Sequence, residues 1–317
     1  MISRRAQPRC GVRRDLRAVV GALAFVANLA MAQAEKAPEP VIQIEDVERF
    51  YRVYDAAGGR PTAEQLQRDY LDPGSEGLHQ LAKVRSVTGA KIAEALARSP
   101  ALYSDARRCA AALPKVQQRL RAALHTLGRL YPQARFAPVT IAVGRGKPVG
   151  VGSPATGVQI GLEALCATTY LNPNVEDRFV YVIAHEFAHV QQAAELTDGK
   201  NLTVLEASLM EGVAEFTAEL IAGKVAYSQL AAMTRGREKP IETAFLDDSQ
   251  KTDHSDWLNN GTPEKPGDLG YWVGYRIAKS YYQHAHDKQV AVREILEMTD
   301  AKAFLARSGW YPGIRLP

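Results

Sequence analysis

An α+β fold, mainly helical with one small β-sheet, is predicted by three features of the sequence. Apolar residues recur at helical spacing from Ile44 to about Tyr131, and again from Glu176 to Leu196 and from about Leu202 to Ala222. Alternation at a period of two is confined to a short central stretch, where Val139, Ile141 and Val143 are followed by Val158-Gln159-Ile160-Gly161-Leu162. Glycine and proline punctuate the first of these stretches so that it divides into several short helices.

The chain opens with Arg4, Arg5, Arg9, Arg13, Arg14 and Arg17, followed by an apolar run from Ala18 to Ala32. That run is shorter than a membrane-spanning helix needs, contains Asn28 and ends in Ala30-Met31-Ala32, which reads as a secretory signal peptide at residues 1–32. Cleavage is expected after Ala32, with Ala34 as the alternative, and an uncleaved membrane anchor is the competing reading. Arg13-Arg14-Asp15-Leu16 also resembles a twin-arginine export signal. Residues 33–40, rich in small, charged and proline residues, read as a linker.

The formal charge of +4 belongs to that leader. Without residues 1–32, 33 basic and 34 acidic side chains remain, a net charge of about −1. Neither a nucleic-acid footprint nor an anionic-membrane one is therefore supported. Cys10 precedes the apolar run, where an acylated lipoprotein cysteine would follow it, so no stable membrane anchor is expected after cleavage. Cys109 and Cys166 remain, and in an oxidising compartment a disulfide is the natural reading, with two buried thiols as the alternative.

Four to six short helices fit residues 41–135, an N-terminal helical region punctuated by Gly58-Gly59, Pro61, Asp72-Pro73-Gly74, Pro100, Pro114 and Pro132. Its aromatic face (Phe50, Tyr51, Tyr54) and leucine stripe (Leu120, Leu124, Leu127, Leu130) read as core. Residues 136–317 form the second region, although one continuous domain over 41–317 is equally compatible with the pattern. Two or three strands joined by the glycine-rich stretch Gly144–Gly157 are expected there. Gly146-Lys147 does not make a phosphate loop, because Pro148 stands where Ser or Thr is required. Strand Val158–Leu162 is a candidate open edge for an extended peptide. A weakly patterned segment, Thr234–Gly267, precedes two more helices, Leu269–His284 and Gln289–Met298.

His185-Glu186-Phe187-Ala188-His189 puts two imidazoles on one helical face a turn apart, a spacing suited to two ligands of one metal ion. Glu186, about 100° round the helix, can reach the open coordination position without binding the ion. Apolar neighbours bury this helix, and burying two histidines and a glutamate without a partner is costly. The next helix offers Glu211-Gly212-Val213-Ala214-Glu215. Glu211 is the candidate third ligand and Glu215 a candidate to receive the free ring N–H of a bound histidine, although these roles are exchangeable. Glu206 and Glu219 are weaker candidates, and Gly212 suggests a close approach of helix to helix or of backbone to metal. Two histidines and a carboxylate with one vacant position form the catalytic type of site, with zinc, Zn2+, as the favoured ion. Tyr271 and Tyr275, with His254 behind them, are candidate donors to a developing oxyanion.

These motifs resemble the gluzincin metallopeptidases, in which a glutamate followed by glycine on the second helix is the third zinc ligand; the resemblance favours Glu211 and implies a zincin-like core. The chain is also similar to a bacterial family of predicted zinc-dependent proteases related to gliding-motility lipoproteins. The shared features are Phe50-Tyr51, Asp69-Tyr70-Leu71-Asp72, Leu130-Tyr131-Pro132, both metal helices and Gly270-Tyr271-Trp272-Val273-Gly274-Tyr275. It departs from the motility lipoproteins in lacking their lipid-attachment signal. The expected function is hydrolysis of a peptide or protein substrate in the periplasm or outside the cell, with Glu186 as general base. The alternatives are a non-catalytic zincin-like binding or assembly module and a metal-dependent amidase of cell-wall peptides.

Overall fold

The first described element is a two-residue strand, β1 (Ile42–Gln43), cut short where Glu45, Asp46 and Glu48 supply the acidic first turn of a helix. The computed structural model describes residues 39–147, 149–262 and 267–316. The expected signal peptide and residues 33–38 of the linker lie outside the described residues. Those that follow belong to one unit, Ala37–Pro317.

Helix α1 (Glu45–Ala56) is followed by α2 (Ala63–Leu66), α3 (Glu76–Arg85), α4 (Gly89–Arg98), α5 (Pro100–Ala110) and α6 (Leu113–Leu130). Their starts follow local chemistry. Thr62 and Gln65 form a capping box, and the Ser75 and Thr88 side chains accept from the N–H groups of Leu78 and Lys91. Proline opens α5 and lies in the first turn of α6, where a missing N–H costs nothing. A π-helical turn, Gln67–Leu71, extends α2 and turns Tyr70 into the core.

Strands β2 (Val139–Ala142), β3 (Gly150–Ser153) and β4 (Gly157–Gly161) complete a mixed sheet of order β1-β2-β4-β3. β1, β2 and β4 run parallel, and β3 is antiparallel to β4. The aromatic face of the N-terminal helices caps the end of β2. Tyr70 Oη donates to the Val143 carbonyl at 2.6 Å and accepts from its N–H at 2.9 Å, while Tyr103 Oη donates to the Gly144 carbonyl at 3.2 Å. Phe50 packs against Tyr51, Tyr54, Tyr70 and Tyr103 with ring centroids 5.1 to 5.9 Å apart.

Strand β4 is paired on both sides, with β2 and with β3. The expectation of an open edge at Val158–Leu162 is therefore corrected: among the described strands the free edge on this side is β3, inside the stretch read as a glycine-rich connection. The reason is steric. Gly150 and Gly152 have no Cβ to hold β3 off the helix behind it, where a Cβ on Gly152 would overlap the Glu186 carbonyl.

Helix α7 (Leu162–Ala167) leads to α8 (Val175–Gln191), then α9 (Ala194–Thr197) and α10 (Val204–Ala222). α11 (Gln229–Thr234), α12 (Glu238–Asp248), α13 (Leu269–His284), α14 (Lys288–Leu296) and α15 (Ala301–Arg307) follow. α8 is buried along most of its length, so it carries no narrow apolar stripe. Cys109 and Cys166 are joined as a disulfide that ties α5 to α7. Among the described residues no helix is long and apolar enough to cross a membrane.

Candidate metal centre

Helix α8 starts where Asn174 accepts the Asp177 N–H at 3.0 Å, and Glu176 and Asp177 meet the positive end of its dipole. Its far end carries His185, Glu186 and His189. α10 starts at a Thr203–Glu206 capping box, which occupies the Glu206 carboxylate at 2.7 Å from the Thr203 N–H. The two helices pack together and bring Glu211 to the histidines.

His185 Nε2 lies 3.2 Å from Glu211 Oε2, His189 Nε2 lies 3.4 Å from the same oxygen, and the two Nε2 atoms are 3.3 Å apart. Ligands held about 2.0–2.1 Å from zinc at the corners of a tetrahedron stand about 3.3–3.4 Å from one another. The triangle therefore has the size that one such ion requires.

The other ring nitrogens sharpen the point. His189 Nδ1 meets Gln192 Oε1 at 2.8 Å, and Gln192 Nε2 donates to the Met210 carbonyl at 2.7 Å, which orients the glutamine oxygen toward the ring. His185 Nδ1 lies 2.7 Å from Glu215 Oε1, angled off the N–H direction, and neither atom meets any other partner. Glu215 is 2 % exposed, and its second oxygen accepts the Tyr227 N–H at 3.1 Å. With both Nδ1 atoms facing acceptors, neutral rings carry their protons there. Both Nε2 lone pairs then point at each other and at a carboxylate, an arrangement that a cation satisfies.

Electrostatics agree with the geometry. Burial opposes a proton on His185 and His189, but Glu211, with Glu215 at His185, outweighs it and raises both pKa values. Burial would raise the Glu211 carboxyl, yet His189 and His185 hold it well below the usual carboxylate range. Glu211 stays ionised, and the pocket attracts positive charge.

A cleft of about 390 Å³ opens over the cluster, lined by Glu186, by Val149 to Gly152 and by Tyr170, Tyr227 and Tyr271. The Glu186 carboxylate packs on Gly150, where an added Cβ would come within 2.8 Å of Oε1. Tyr271 lies parallel to His185 with ring centroids 6.0 Å apart and stacks on Tyr227 at 4.6 Å. Burial, followed by the charge of Glu211, raises both phenol pKa values well above the usual value, so both hydroxyls keep their protons.

Other sequence candidates stand elsewhere. Tyr275 donates to Glu219 Oε2 at 2.9 Å, accepts from Lys279 at 2.9 Å, and lines a separate cavity behind the cleft. The same pairing engages Glu219. His254 Nε2 meets the Leu202 carbonyl at 2.6 Å and steadies the loop before α10. Gly212 serves helix packing rather than the cluster, since a Cβ there would overlap the backbone of Gly274 and Tyr275 on α13. Gln192 and Tyr227 escaped sequence reasoning. Gln192 stands just past the helix end, three residues after His189, and Tyr227 lies in a segment with no motif.

Buried imidazoles and a carboxylate converging on one point define a group able to hold a metal ion, with three protein ligands rather than the four of closed structural zinc sites. Residues 161–305, which contain the whole group, match a protein family described as predicted Zn-dependent protease (DUF2268). No curated protein and no solved structure matches the chain.

Proposed function

We propose that this chain is an exported zinc-dependent peptidase of gluzincin type, with a zincin-like core and with His185, His189 and Glu211 as the metal ligands. The observation that carries the reading is the 3.2–3.4 Å triangle of lone pairs, with His189 Nδ1 engaged by Gln192 and His185 Nδ1 beside the Glu215 carboxylate. Export outside the cytoplasm is supported by the basic, apolar leader and by the Cys109–Cys166 disulfide.

A zinc ion held there would supply Lewis acidity, activating a water and polarising the scissile carbonyl. Glu186, free of the ligand set and facing the cleft, takes the proton of the attacking water and passes it to the leaving amine. Glu215 and Gln192 hold the two imidazoles in the tautomer that leaves Nε2 available. The protonated Tyr271 hydroxyl donates to the oxygen on which charge develops, and Tyr227 braces its ring. The free edge of β3 binds an extended peptide by backbone hydrogen bonds, and its glycines bring that peptide close to Glu186.

The test compares purified mature protein with Glu186→Gln for metal content and for cleavage of a mixed peptide library. The expected result is one zinc per chain in both and cleavage lost only in the variant. Equal cleavage by the two would remove Glu186 as the base, and absence of bound zinc would remove the metal site.

A further inference from the structure

Arg85 closes α3, far in sequence from the metal helices, yet it is among the residues that line the cleft over them. It lies outside the stretch 161–305 shared with the protease family. An arginine at a helix C-terminus is ordinary, since the carbonyl end of the helix favours positive charge. Arg85 differs in two respects. Its Nε is shielded from solvent and has no hydrogen-bond partner, and among the described residues no carboxylate comes within ion-pair distance of its guanidinium. Nearby, Arg145 donates through Nε and Nη2 to the Arg85 carbonyl at 3.1 and 3.0 Å, which pins the backbone and adds a second cation to that side. Arg85 Nε itself is out of a ligand's reach, whereas the terminal Nη1 and Nη2 are solvent-accessible and held by no hydrogen bond among the described residues.

We infer that Arg85 is a specificity residue that receives a carboxylate of the substrate, so the cleft selects peptides carrying a negative charge near the scissile bond. This rests on the reading of the cleft as a peptide site. A guanidinium matches a carboxylate through two parallel N–H···O bonds, and the accessible Nη1 and Nη2 offer such a fork. The carboxylate belongs either to the peptide's C-terminus or to an Asp or Glu side chain; the chemistry is common to both.

Equilibrium binding to zinc-loaded Glu186→Gln protein reads this without turnover. Peptides of one sequence are compared with a free or an amidated C-terminus, and amidated peptides are compared with Asp or Glu against Asn or Gln. One of these pairs is expected to differ by about ten- to a hundredfold in Kd, the size of a charge-assisted hydrogen bond. Which pair differs identifies the source of the carboxylate. Adding Arg85→Gln should abolish that difference while changing the Kd of the neutral peptides by less than about threefold, and Arg85→Lys should restore only part of it. Equal binding of charged and neutral peptides, or a preference that survives Arg85→Gln, would overturn the inference. Unchanged cleavage in Glu186→Gln would instead count against the proposed base and leave this comparison readable.

Discussion

Tyr271 and Tyr275 stand one turn apart on α13, and that turn divides their surroundings. Tyr271 lies against His185 in the cleft, whereas the Tyr275 hydroxyl is already engaged by Glu219 and Lys279. Tyr271→Phe is therefore expected to lower kcat by about 10²- to 10³-fold, the loss seen when one oxyanion donor is removed. Tyr275→Phe is expected to stay within about threefold, and steady-state kinetics on a cleaved peptide separates the two. Sequence spacing gives both tyrosines equal standing, because what distinguishes them is the partner across the helix interface. Glu163, buried at the start of α7, permits a second test at this scale. Its oxygens accept the N–H groups of Gly144 and Gly146 at 3.0 and 2.8 Å and so fix the loop that leads into β3. Burial raises its pKa above the usual 4.5, against those two hydrogen bonds, which pull it down. The folded chain thus holds this proton more tightly than the unfolded chain, and the Glu163 contribution to stability falls as pH climbs from about 4.5 through the raised folded value. The stability difference between wild type and Glu163→Gln should narrow over that window in urea melts taken at successive pH values. A constant difference would show that the folded and unfolded chains hold the Glu163 proton equally tightly.

At the scale of elements, glycine decides how closely backbones meet. On Gly152 a Cβ would overlap the Glu186 carbonyl, and on Gly212 it would overlap the backbone of α13. Gly152→Ala should push β3 off α8, lowering stability by about 1–3 kcal/mol as overpacking does and reducing kcat/KM by more than tenfold, because β3 is the wall beside Glu186. Gly212→Ala should bring a comparable loss of stability; denaturant midpoints and kinetics measured side by side check both. These glycines also explain which elements were legible. α13 spans Leu269–His284, the range its periodicity predicts, and α10 starts at Val204 rather than Leu202 because the Thr203–Glu206 capping box sets its boundary. β3 was hidden because Gly150 and Gly152 replace the apolar half of a strand's alternation. α12 was hidden because few of its side chains are buried, one of them the polar Glu242, so no apolar stripe marks it. The His185–His189–Glu211 cluster was legible because its members fall in two short helical motifs. Gln192, Tyr227 and Arg85 were not, because each reaches the cleft through tertiary packing alone.

For the whole molecule, the question is how firmly the N-terminal helices are tied to the metal centre. The Cys109–Cys166 disulfide closes a separation of 57 residues and joins α5 to α7, directly ahead of the metal helix. A second tie carries on from α7 to the metal helix. Arg178 on α8 is 2 % exposed and donates to the carbonyls of Leu165 and Cys166 at 2.9 Å each, and also to that of Asn172. The disulfide therefore constrains the unfolded chain more than it positions the cleft. Reduction should cost about 2–4 kcal/mol of global stability but leave kcat/KM within about twofold at 25 °C, where the chain stays folded. Chelation of the metal should do the opposite to function, abolishing cleavage, while removing about 4 kcal/mol if zinc had been present at a thousandfold excess over its Kd. Thermal melts and kinetics on four samples, oxidised or reduced and each with or without chelator, distinguish these contributions. If reduction alone abolished cleavage in chain that is still folded, the Arg178 clamp between α7 and α8 would be insufficient and the anchoring of α7 to α5 through the disulfide would be what keeps the cleft in place.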